Sequence, residues 1–149
     1  MIDKVKLKLS GGFYEITYGD DFSVKSDCEN HLVYEEKGIW YVISDHDGGK
    51  DGNSTILIPR DIQLHSFILE GTDIALKCDL LKADTVYFDL KNSAGEIRNL
   101  YGQKIGISMG KGEIRANIKE LHALKIDCGY GTVNAELPSD TTGYNITSN

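Results

Sequence analysis

Four polar side chains recur at one fixed interval in the second half of the chain: Glu70, Asp89, Ser108 and Asp127. Carboxylates stacked on adjacent strands can take Ca2+, which draws its ligands from oxygen, or accept hydrogen bonds from a sugar. A carbohydrate-acting enzyme of the lyase type, built on a parallel β-helix, would use Asp89 and Asp127. The plainer reading is a solvated polar face. Glu70 and Asp89 would repel one another modestly as neighbours, and the chain has none of the long loops that form a lyase groove. Ser108 also sits in a G-x-S-x-G pattern, Gly106-Ile107-Ser108-Met109-Gly110. A hydrolase nucleophile needs a sharp turn from strand into helix there. Here Lys111-Gly112-Glu113-Ile114 leads into another strand, so both glycines belong to a repeat.

The remaining candidates are weaker. Asp45-His46-Asp47-Gly48-Gly49-Lys50-Asp51-Gly52-Asn53 has the composition of a calcium loop. Counted from Asp47 in the EF-hand spacing, the third ligand is Gly49 and the twelfth is Ile58, so the glutamate is missing. A polar hairpin loop fits better. His31, His46, His65 and His122 show no H-x-H or H-x-x-x-H relation. Cys28, Cys78 and Cys128 contain no C-x-x-C pair, and their odd number argues against a disulfide framework; they read as small buried hydrophobes. Trp40 and Tyr41 read as core and rim before sugar platform. No catalytic residue, cofactor or metal set is assigned. Glu70, Asp89 and Asp127 stand as candidate ligand contacts.

The elements that position these residues are short apolar strands beginning at Phe67, Val86, Ile105 and Leu124, separated by the same interval. Glycine corners follow at Gly71, Gly95, Gly110 with Gly112, and Gly129 with Gly131. A second apolar stripe then appears at Ile74, Ile97, Ile114 and Val133, which places two extra residues at the second corner. Such a period predicts an all-β, single-stranded parallel β-helix or β-solenoid with rungs of about 19 residues. Stacked rungs would make the columns Phe67/Val86/Ile105/Leu124 and Leu69/Phe88/Ile107/Ile126, and a one-residue slip would turn them outward. A fifth rung begins at Tyr144-Asn145-Ile146. Upstream, Val5, Leu7 and Leu9 alternate with lysines, as do Tyr14, Ile16 and Tyr18 with other residues after Gly11-Gly12. Leu32–Tyr34 and Ile39–Ile43 flank a hairpin turn. The reading is one domain over 1–149, with strands in 1–66 forming an N-terminal antiparallel β cap and 67–149 forming the ladder.

Composition limits the partners. Net charge is −7, with 7 Lys+Arg against 12 Asp+Glu before Phe67 and 9 against 11 after it. Neither part has the basic patch that a phosphate backbone requires, so nucleic acid and anionic membrane surfaces are disfavoured. No run of about 18 apolar residues is present to span a bilayer. Met1-Ile2-Asp3-Lys4 leads directly into alternating sequence without a signal segment. The chain is therefore cytoplasmic or a piece of a longer exported or anchored protein.

Ile105-Gly106-Ile107-Ser108-Met109-Gly110-Lys111-Gly112-Glu113-Ile114 and Leu124-Lys125-Ile126-Asp127-Cys128-Gly129-Tyr130-Gly131-Thr132-Val133 resemble the repeats of the bacterial putative-adhesin domains of unknown function. Ile56-Leu57-Ile58-Pro59, Leu137-Pro138 and Tyr144-Asn145-Ile146 are similar to that family's flanking segments. The resemblance runs from about Trp40 onward. It implies a β-helical, non-enzymatic binding or structural module of bacterial cell-surface or membrane-associated proteins, with no chemistry to carry over. A surface glycan or protein would be the partner. An oligomerising sensor or scaffold that pairs edge to edge is a further expectation.

Overall fold

The computed structural model describes residues 2–26, 31–44, 52–138 and 145–148. Within them the chain is all-β. Fourteen strands form one mostly parallel sheet: β1 (Lys4–Gly19), β2 (Ser23–Ser26), β3 (His31–Glu36), β4 (Ile39–Ser44), β5 (Asn53–Pro59), β6 (Ser66–Cys78), β7 (Leu81–Lys82), β8 (Thr85–Lys91), β9 (Ser93–Tyr101), β10 (Lys104–Met109), β11 (Gly112–Glu120), β12 (Ala123–Cys128), β13 (Thr132–Glu136) and β14 (Asn145–Ser148).

The sheet folds into two faces around the core. One face carries β3, β4, the first half of β1, the first half of β6, then β8, β10, β12 and β14. The other carries β2, β5, the second halves of β1 and β6, then β9, β11 and β13. Inward positions alternate with outward ones, as a pleated strand requires. On the first face Phe67, Val86, Ile105 and Leu124 are paired in that order, as are Leu69, Phe88, Ile107 and Ile126. All are buried except the half-buried Ile126.

The N-terminal segment differs from an antiparallel cap. β1 runs parallel to β6, with Val5 on Phe67, Leu7 on Leu69 and Tyr14 on Leu76. Its alternating apolar face continues the columns, which is why it joins them. The chain bends at Gly11 and Gly12, both at positive φ, so β1 spans both faces. Among the described residues, antiparallel pairing is confined to β2 on β5 and β3 on β4. The β3–β4 hairpin turns tightly at Lys37 (φ 52°) and Gly38 (φ 79°), the pattern of a two-residue hairpin turn.

The second stripe also differs from the sequence reading. Leu76, Gly95, Ile114 and Val133 pair in succession, and so do Cys78, Ile97, Ala116 and Ala135. There are no extra residues at the second corner. Gly95 occupies an inward position without a side chain, which breaks the apolar pattern in the sequence; a Cβ there would lie 3.2 Å from the Leu76 Cβ. The corners themselves turn at Asp73 (φ 57°), Asn92 (φ 50°) and Gly112 (φ 116°), not at Gly71 or Gly95. Asn92 donates its side-chain amide to the Asp73 carboxylate, linking successive corners. In the last strand Ile146, rather than Tyr144, pairs with Leu124, so the final step of the ladder is longer than those before it. Asn117–Glu120 belong to β11.

Candidate functional site

The outward column exists as read: Glu70 pairs with Asp89, Asp89 with Ser108, and Ser108 with Asp127, and Lys8 precedes Glu70. Glu70, Asp89 and Ser108 are half-buried and Asp127 is exposed. Ser108 lies inside β10 between two aspartates, with no strand-to-helix turn, so the G-x-S-x-G pattern is a product of the repeat. Asp89 and Asp127 lie on β8 and β12, with β10 between them, so about 10 Å separates their backbones at ordinary strand spacing. Asp89 and Glu70 line a groove of about 680 Å3 with Lys8, Ser44 and Lys91, whereas Asp127 lies outside it, so the two aspartates do not share one cleft.

The neighbouring outward positions complete a three-by-three array. β8 presents Thr85, Tyr87 and Asp89, β10 presents Lys104, Gly106 and Ser108, and β12 presents Ala123, Lys125 and Asp127. Gly106 lets the Tyr87 ring lie across the centre, beside a shallow trough of about 300 Å3 whose lining includes Tyr87, Lys104 and Lys125. The Tyr87 ring leans over the glycine: a Cβ on Gly106 would fall 2.8 Å from the ring's Cδ2. Tyr87 nevertheless remains 40% exposed. Lys104, Lys125, Asp89 and Asp127 form no ion pair or side-chain hydrogen bond with a described residue. The sequence reading missed Tyr87, Gly106, Lys104 and Lys125. Extending the register of the repeat to every outward position would have found them.

The second face contrasts with this. Its outward row runs Glu15, Lys77, Glu96, Arg115 and Asn134, an alternation of charge across strands. A bulge between β9 and β11 after Ala116 opens a groove of about 750 Å3 lined by Arg98, Asn99, Arg115 and Asn117. Its cations are already engaged, Arg98 with Glu96 at 3.5 Å and Arg115 with Glu113 at 3.2 Å.

The other candidates disperse. Trp40 is in the core, its ring 5.0 Å from that of Phe22. Tyr41 is outward and stacks on Tyr34 at 4.7 Å. His65 lies 3.4 Å from the Asp84 carboxylate, His31 meets the Ser54 hydroxyl, and His122 is exposed. Cys78 is buried and free; burial pushes its thiol up to about 12. Burial also raises the Tyr18 phenol, whose oxygen accepts from the Lys82 amide. Cys128 is half-buried and donates to the Gly131 carbonyl. Cys28, His46, Tyr144 and the run from Asp45 to Asp51 lie outside the described residues. Among the described residues no three His, Cys, Asp or Glu side chains gather closely enough to hold a metal, and no helix is long and apolar enough to cross a membrane.

The sequence profile of the Toastrack DUF4097 family matches residues 49–149. No curated protein has a significant sequence match to the chain. Among solved structures, that of a "putative cell adhesion protein" from Clostridium sporogenes superposes with a TM-score of 0.60 at 12% identity, covering 91% of this chain and 93% of the other. At that identity the likeness is one of fold.

Proposed function

This chain belongs to the Toastrack DUF4097 family, and we propose that it is a non-enzymatic, adhesin-like binding module of the bacterial cell surface. In this reading the parallel sheet is a β-solenoid whose repeated coils hold a flat strand face rigid, and that face meets a glycan or protein outside the cell. The observation that carries it is the array on β8, β10 and β12. There charged side chains stand on strands locked by a buried core, yet form no ion pair with a described residue. A stiff strand scaffold spares the ligand the cost of ordering the backbone that carries these groups. The adhesion-related structural neighbour is consistent with such a role.

The test is a screen of labelled protein against arrayed glycans, cell-wall polymers and matrix proteins, with and without calcium. Saturable binding of the parent without turnover of the polymer, whether or not Asp89→Asn with Asp127→Asn weakens it, supports a module. Turnover of a polysaccharide that this double variant abolishes would replace it with the lyase reading. No binding by well-folded protein would favour an assembly role. That second reading is favoured by β13, a sheet-edge strand whose inward Val133 and Ala135 are only half-buried. It calls for a size that rises with concentration in light scattering.

A further inference from the structure

We infer that the array centred on Gly106 is a binding site for an acidic saccharide, a sugar ring bearing a carboxylate. This rests on the reading of the chain as a binding module and names the site and the ligand class. Four features converge. The missing side chain at Gly106 admits the Tyr87 ring over the centre, and the trough beside it has Tyr87 as one wall. An aromatic ring presents an electron-rich face, suited to the C–H face of a pyranose. Lys104 and Lys125 border the same trough and lack an anionic partner among the described residues. One outward position further along the strands, about 7 Å away, Asp89 and Asp127 offer acceptors for sugar hydroxyls.

The mixture of signs selects among ligands. A uniformly anionic surface would meet the two aspartates unfavourably, and a neutral sugar would leave the two ammonium groups unused. A protein partner places its apolar anchors at the centre of an interface, whereas the centre here is a glycine. A sugar acid matches each part: its carboxylate meets the lysines, its hydroxyls the aspartates and its ring carbons Tyr87. The second face is the weaker site, because Arg98 and Arg115 are already paired.

The experiment is calorimetric titration with polygalacturonate, with its methyl ester, which keeps the ring and loses the charge, and with dextran. Variants are Tyr87→Ala, Gly106→Val, Lys104→Gln with Lys125→Gln, and, on the second face, Arg98→Gln with Arg115→Gln. Circular dichroism and thermal melting check each fold. Expected is binding of polygalacturonate, weakened about tenfold or more by Tyr87→Ala and by the lysine pair, and unchanged by the arginine pair. Gly106→Val should block it by displacing the Tyr87 ring from its place over the glycine, and the ester and dextran should bind at least about tenfold more weakly. Binding that disappears with salt but ignores Tyr87→Ala would overturn the site as diffuse charge attraction. Equal binding of the ester would overturn the acidic class, and loss only in the arginine pair would move the site to the other face. Either result leaves the binding-module reading standing. No binding to any of the three polymers overturns the inference alone, since the wider screen tests the module itself.

Discussion

Gly110 and Gly112 are near neighbours in one repeat, yet the structure gives them opposite tolerances. Gly112 has φ 116°, and a Cβ there would lie 1.9 Å from the Ser93 carbonyl oxygen. Backbone strain of that kind costs about 1–3 kcal/mol for a residue with a side chain. Relieving the overlap means pushing β11 from β9, where Gly112 pairs with Ser93, and weakening a ladder hydrogen bond worth about 1 kcal/mol. Gly112→Ala should therefore cost about 2–4 kcal/mol. Gly110 has no positive φ, and its nearest contact would be the Lys91 Cγ at 3.7 Å, an ordinary separation. Gly110→Ala should be neutral, or stabilising by about 0.4–1 kcal/mol because the unfolded chain loses freedom. Urea unfolding followed by tryptophan fluorescence and circular dichroism compares the two. At a slope of about 2 kcal/mol per molar, the midpoint of Gly112→Ala should fall by about 1–2 M while that of Gly110→Ala holds or rises. Midpoints for the two variants within about 0.3 M of each other would show that the corner geometry is wrong.

Three further outcomes follow from the same structure. Ile107→Asp puts a carboxylate between Phe88 and Ile126 and should cost about 3–5 kcal/mol; a melting curve matching the parent would discard the column. Asn92→Ala loses both a side chain suited to positive φ and the amide given to Asp73. It should cost about 1–2 kcal/mol, with Asn92→Gly recovering part of it in the same urea assay. Cys78 concerns alkaline stability. The folded thiol titrates near 12 against an ordinary 9.0, so its stabilisation is complete below the unfolded value and drains away as pH rises from there toward 12. The slope is at most about 1.4 kcal/mol per pH unit. Cys78→Ala should flatten this fall, leaving the smaller part from Tyr18, which is raised in the same sense; an unaltered slope would rule the thiol out.

Much of the first face was legible in the sequence, because two local regularities suffice for it. Alternation of period two assigns inward and outward residues along a strand, and the constant interval from Phe67 to Leu124 places successive strands in register. The apolar columns and the stack of Glu70, Asp89, Ser108 and Asp127 follow from those alone. The second face was misread at Gly95, since a glycine in an inward position carries no apolar signal, and its missing volume is filled through space by Leu76.

Other features exist only once the chain is folded. The alternating residues of β1 identify strands, but its bend at Gly11-Gly12 and its parallel seat on β6 depend on a segment that begins only at Ser66. Gly110 and Gly112 are alike as letters, and only the path of β9 beneath β11 makes one of them obligatory. Arg115 and Lys125 are both outward cations, and only geometry shows Arg115 already paired with Glu113 and Lys125 without an ion pair among the described residues, beside a shallow trough. Inward and outward positions are properties of neighbouring residues, which a sequence records directly. Ion pairing, empty space and backbone handedness are relations between residues in three dimensions, and the tertiary structure decides them.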